Sequence, residues 1–136
     1  MMEIKDVSKR YGKKTVVQDV ELAIAPKKLT AFIGPNGAGK STLLSIASRL
    51  IDKDRGKIYL DGSEVKTWRS NELAKKLAIL KQSNGVSLNI TVQELINFGR
   101  FPYSKGRLTE KDNSKVREAI LALGLEELAE QSIDTL

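Results

Sequence analysis

Cysteine and histidine are both missing from these 136 residues, proline occurs 3 times, and aromatic side chains make up only 5%. Without cysteine there can be no disulfide framework, and cysteine usage says nothing about redox compartment. No window approaches the roughly 18 uninterrupted apolar residues of a membrane-spanning helix. The first residues, Met-Met-Glu-Ile-Lys-Asp, lack the apolar stretch and small-residue cleavage site of a secretory signal, so export is not expected. Repeats and low-complexity tracts are also absent. What is present suits one small globular domain: 40% hydrophobic residues, on a chain long enough to bury roughly two-thirds of its unfolded surface. Lys plus Arg number 23 against 17 Asp plus Glu, a net charge of +6, which suits nucleic acid, an anionic membrane surface or phosphate ligands. The basic pairs Lys13-Lys14, Lys27-Lys28 and Lys75-Lys76 stand apart with no aromatics between them. A solvated surface is therefore expected, and no nucleic-acid partner.

One stretch carries the chemistry. Gly34, Pro35, Asn36, Gly37, Ala38, Gly39, Lys40, Ser41 and Thr42 fill every fixed position of G-x-x-x-x-G-K-[ST], between an apolar run at 29–33 and an apolar, helix-like segment. Glycines at 34, 37 and 39 allow positive φ and a close backbone approach, so that successive N–H groups can turn toward phosphate oxygens. A helix over about 40–50 would add its N-terminal dipole and unpaired amides to the same anion site. Lys40 supplies a positive charge near the β- and γ-phosphates of a nucleoside triphosphate, and the Ser41 hydroxyl is the expected Mg²⁺ ligand. Thr42 has two readings, a contact to the α-phosphate or the start of the helix.

Around this loop the pattern predicts a mixed architecture. Ile4 and Val7, then Val20, Leu22 and Ile24, alternate as two half-buried strands joined by a turn at Tyr11-Gly12-Lys13, which predicts an antiparallel sheet. The runs at 29–33 and 77–80 have the continuous apolar texture of strands buried on both faces. Residues 57–60 predict a strand, Asp61-Gly62 a hairpin turn, and 63–65 the returning strand. Ser70 is expected to cap a short helix over 71–76. Beyond residue 90 the texture turns helical. Thr91 with Glu94 reads as a capping box, Thr109 with Asp112 opens a second helix, Gly124 closes it, and a last short helix covers 126–131.

With the sheet, the loop and the helices in this order, the chain resembles the first half of an ATP-binding cassette (ABC) transporter ATPase. More narrowly, it resembles the ATPase subunit of iron–siderophore importers through residues 33–44, Leu60-Asp61-Gly62 and Phe98-Gly99-Arg100-Phe101-Pro102-Tyr103. The resemblance implies an α/β P-loop NTPase core with an N-terminal antiparallel β subdomain over residues 1–90, and the start of a helical subdomain over 91–136. It implies an incomplete sheet, and a chain truncated before the Leu-Ser-Gly-Gly-Gln signature, with Leu136 in the place of its first residue. The later acidic pair and switch histidine of the family have no counterpart here. Tyr11 would be the aromatic-loop ring that stacks on adenine, and Gln82 the glutamine that touches Mg²⁺ and the attacking water. ATP and Mg²⁺ are the implied cofactors. Implied partners are transmembrane permease subunits, a second copy of the ATPase and, indirectly, a substrate-binding protein, at the cytoplasmic face of the cell membrane.

Within that frame, Ile58-Tyr59-Leu60-Asp61 superficially resembles a metal-binding strand but is read as part of a hairpin. Phe98, Phe101, Pro102 and Tyr103 form either a permease-docking patch or ordinary packing between helices. Arg100 and Arg107 are expected to be solvated rather than paired with partner carboxylates. Two other functions stay open on the residues alone: a non-catalytic nucleotide-binding module, and a different P-loop enzyme such as a small-molecule kinase. As an importer ATPase, these residues would bind ATP while lacking the groups that hydrolyse it.

Overall fold

The computed structural model describes residues 1–80 and 89–135. It divides into two compact units, Met1–Ile79 and Leu80–Leu136.

The first unit is built on β1 (Met2–Tyr11), β2 (Lys14–Ile24), β3 (Arg55–Leu60) and β4 (Ser63–Glu64), a four-stranded sheet in the order β2-β1-β3-β4. Every pairing is antiparallel; the alternation predicted this for β1 with β2 and the Asp61-Gly62 turn for β3 with β4, whereas the pairing of β1 with β3 was not foreseen. Ile4 and Val7 of β1 are fully buried, and with Val17, Ile58 and Leu60 they receive Leu43, Ile46 and Ala47 of α1 (Lys40–Ala47). Burying side chains of this size stabilises by about 1.5–3 kcal/mol each, so the packing of α1 on the sheet is a substantial source of order. The sheet is strongly bulged. Between Lys5 and Ser8 of β1, three steps answer two on β3, and Asp6 takes up the extra length at φ 52°. Gly56 faces that bulge because a Cβ there would strike the Asp6 carbonyl. The β3–β4 turn is made by Asp61 and Gly62 at φ 50° and 82°, the left-handed pair that suits a two-residue hairpin. This confirms the hairpin reading of residues 58–61, and the Asp61 carboxylate is taken by the Met1 ammonium at 2.8 Å.

Several expected elements differ. No strand forms over 29–33: Leu29 is 100% and Ile33 93% exposed, and only Phe32 packs partly against the core. The run at 77–80 is likewise irregular, with Leu80 exposed. A strand buried on both faces requires neighbours on both edges, and among the described residues none pairs with either run. The helix α1 stops at Ala47 rather than near 50, because Arg49 turns left-handed at φ 59°. Its guanidinium then bonds the carbonyls of Val65 at 3.2 Å and Trp68 at 2.8 Å. Ser70 is the first residue of α2 (Ser70–Ala74) and makes no capping bond, so its expected role as a cap is not borne out.

The second unit holds α3 (Val92–Phe98), α4 (Phe101–Ser104) and α5 (Glu110–Leu123), with Val116, Ile120 and Ala129 as its core. The expected capping box of Thr91 with Glu94 forms, and Thr109 with Asp112, expected only to open α5, makes a second one. Gly124 ends α5 in the left-handed conformation at φ 64°. The expected last helix is only a 3₁₀ turn, Glu126–Leu128. Arg100 is not solvated: it grips the buried Asp112 at 2.8 Å and lies 4.0 Å from the centre of the Tyr103 ring. Phe98 and Phe101 are each 60% exposed, so these aromatics are not packed between helices. They line an apolar groove of about 310 Å³ with Ile90 and Leu108. Among the described residues, no helix is long and apolar enough to cross a membrane.

Hydrogen bonds from the Thr109 hydroxyl and backbone N–H, together with the Arg100 guanidinium, lower the Asp112 carboxyl from 3.8 to about 2. Because the folded value lies below the unfolded one, the stability Asp112 contributes is complete above about pH 4 and is lost as pH falls through about 2. Asp112→Asn is expected to lower thermal stability at neutral pH and to flatten this acid limb, as followed by circular dichroism of the full chain. Identical acid midpoints for the two proteins would contradict the assignment.

Candidate functional site

Lys40, the last fixed cation of the loop, is also the first residue of α1, and this coincidence organises the site. Gly37 and Gly39 sit at φ 81° and 85°, with Gly39 the N-cap of the helix. Gly34, in contrast, does not adopt the positive φ expected of it. The first main-chain bond of α1 runs from the Leu43 N–H to the Gly39 carbonyl, 2.8 Å. The amides of Lys40, Ser41 and Thr42 precede it and have no carbonyl one turn earlier within the helix. Their N–H dipoles and the helix macrodipole give this end a partial positive charge. The Lys40 ammonium donates to the Gly34 carbonyl at 2.7 Å and the Pro35 carbonyl at 2.8 Å. An ammonium has three donors, so one remains for a ligand. Ser41 is exposed at the mouth, Thr42 is half-buried, and residues 34–38 are exposed. An anion can therefore reach these donors from solvent. The donor set fits a polyphosphate: backbone amides, one ammonium and a hydroxyl, with no acidic side chain in the loop to repel it.

The loop is held against the sheet at one point. A Cβ on Gly39 would collide with the Val16 carbonyl and lie 3.3 Å from a Val17 methyl. Val16 is the extra residue of a β-bulge, since Lys9 pairs with Val17 and Arg10 with Thr15. The bulge turns the Val16 carbonyl toward the loop. Tyr11 stands at the end of the same hairpin, paired with Lys14 and 50% exposed. Residues paired across strands share a face, as do residues two apart on one strand. Val17, Lys9 and Tyr11 therefore project from the face of the hairpin that meets Gly39. Gln82 lies outside the described residues. Two cavities among the described residues of this unit lie at the other end of α1: one of about 490 Å³ beside Ile46 and Arg49, and one of about 270 Å³ beside Leu50 and Leu73.

Sequence reasoning did not find Lys9 and Asp54. The Lys9 ammonium is 2.9 Å from one Asp54 oxygen and 5.6 Å from the centre of the Tyr11 ring. The bond from Lys9, then that from the Arg10 N–H, holds the Asp54 carboxyl below the usual carboxylate range. The two-residue spacing of Lys9 and Tyr11 on a strand was the available signal, whereas nothing local points to Asp54.

Comparison with known proteins gives this geometry its context. Residues 17–136 match the family model described as ABC transporter. The chain belongs to the ABC transporter family. It is 52% identical, over 100% of its own length and 54% of the relative's, to the petrobactin import ATP-binding protein YclP of Bacillus subtilis (strain 168). It is 41% identical to the ferric enterobactin transport ATP-binding protein FepC of Escherichia coli (strain K12), over 93% of this chain and 47% of that one. Among solved structures, a dimeric post-hydrolysis state of the ATP-binding cassette MJ0796 bound to ADP and Pi matches with a TM-score of 0.79 at 25% identity, covering 100% of this chain and 63% of that one. The fold is thus the N-terminal part of an ATP-binding cassette, with its sheet incomplete. The chain spans about half the length of the curated relatives it matches.

At Gly39 both the backbone conformation and the space require glycine. Gly39→Ala is expected to cost about 1–3 kcal/mol, measured by urea denaturation. Gly12→Ala, at φ 58° but with nothing within 4 Å of an added Cβ, should cost only the left-handed strain of an L-residue, about 1–2 kcal/mol, and less than Gly39→Ala. Equal costs at the two positions would contradict the Gly39–Val16 contact.

Proposed function

We propose that these residues form the nucleotide-binding part of the ATPase subunit of an iron–siderophore importer, binding MgATP at residues 34–42. The carrying observation is the left-handed Gly39 placed directly before a helix N-terminus, with the Lys40 ammonium folded over the loop. In this reading the amides of 37–42 and Lys40 bind the β- and γ-phosphates, and Thr42 the α-phosphate. The exposed Tyr11 ring offers a flat face to adenine. Ser41, with Gln82, would hold Mg²⁺, which when bound neutralises phosphate charge and orients the terminal phosphoryl group. Family membership and relatives named as petrobactin import and ferric enterobactin transport ATP-binding proteins support the importer assignment.

The proposed partners are transmembrane permease subunits, which would meet the exposed Phe98–Phe101 groove of the second unit, a second ATPase copy and, through the permease, a substrate-binding protein. Such a protein would work on the cytoplasmic face of the cell membrane. Coupling of ATP hydrolysis to transport belongs to the assembled transporter, and binding is the part assigned to these residues.

Isothermal titration of the chain with MgATP tests this reading. Saturable binding is expected, weakened at least about tenfold by Lys40→Ala, the loss of one charge-assisted phosphate contact. Binding unaffected by Lys40→Ala would overturn the assignment.

A further inference from the structure

We propose that Lys9 and Asp54 are positioning residues for the base-stacking ring, a clamp that holds Tyr11 ready before nucleotide arrives. The inference rests on the MgATP reading above and adds to it two residues that lie outside the phosphate loop.

The clamp is fixed to the strand that carries the ring. The Asp54 N–H donates to the Ser8 carbonyl at 3.0 Å, and its second carboxylate oxygen accepts from the Arg10 N–H at 2.7 Å. These two bonds flank Lys9 on β1, so the carboxylate is presented to the Lys9 ammonium, which it meets at 2.9 Å. The Lys9 side chain is only 15% exposed, unusual for a lysine unless its charge is paired. With its stem buried and its head held by Asp54, the ammonium has little freedom and rests over one face of the Tyr11 ring, 5.6 Å from the centroid. The attraction between a cation and a ring face is about 0.5–1 kcal/mol at exposed sites and grows with desolvation. It restrains a ring that is otherwise half exposed at a hairpin tip, while the other ring face remains for a base. Because Lys9, Tyr11 and Val17 share the face that abuts Gly39, the restrained ring and the phosphate loop keep a fixed relation. Ordering the ring beforehand removes part of the entropy cost of binding.

A ligand with a base and one without separate this role from a general structural one. MgATP and magnesium tripolyphosphate are titrated into the full chain, as wild type, Lys9→Met, Lys9→Arg and Asp54→Asn. Lys9→Met, which keeps the apolar stem, should weaken MgATP about threefold to tenfold and leave tripolyphosphate unchanged. Lys9→Arg should restore most of the loss, and Asp54→Asn should fall between. Equal weakening of both ligands, or an unchanged MgATP affinity in Lys9→Met and Asp54→Asn, would overturn the clamp while leaving the phosphate site standing. A wild-type chain that binds neither ligand would overturn the nucleotide reading and the clamp with it.

Discussion

The contact between Gly39 and the Val16 carbonyl is the constraint on which the rest depends. It joins a phosphate loop to a bulged β-hairpin with no room for a side chain between them. A left-handed residue at the N-cap lets the chain enter α1 with its first amides unpaired. The bulge at Val16 supplies the carbonyl against which that turn is pressed. Helix end and hairpin are therefore held as one body, and the Leu43–Ile46–Ala47 face of α1 seals it by burial against Val7, Val17 and Ile58.

Electrostatics follow from that frame. The loop draws its positive potential from main-chain dipoles and one ammonium rather than from a cluster of cations. The two carbonyls that hold Lys40 also keep its charge over the loop. Scattered lysines elsewhere, most of them exposed, account for the net charge of +6 without forming a competing anion site. The second unit shows a similar economy. One buried carboxylate, Asp112, caps α5 and at the same time fixes Arg100, whose guanidinium stacks on Tyr103. The aromatic turn is thereby anchored while Phe98 and Phe101 stay outside.

Features with a local physical cause were legible in the sequence. The capping box at Thr91, the helix start at Thr109, the Asp61-Gly62 turn, the Gly124 helix end and the loop motif each draw their geometry from residues three to five apart. The antiparallel β1–β2 hairpin was legible because alternation on both strands pointed to one buried face. Features that depend on distant partners were not. The runs at 29–33 and 77–80 have the composition of buried strands, yet a strand exists only where a neighbour completes its ladder. Composition likewise cannot reveal that Arg100 would find Asp112, or that Asp54 would cross from the start of β3 to clasp Lys9, 45 positions earlier in the chain.

The most direct measurement is a structure of this chain with a non-hydrolysable ATP analogue and Mg²⁺. The expected result is a triphosphate on the amides of residues 37–42, the Lys40 ammonium between the loop carbonyls and the terminal phosphate, and the base against Tyr11. Phosphates bound elsewhere, or a loop whose Gly39 leaves the left-handed conformation and separates from Val16, would contradict it.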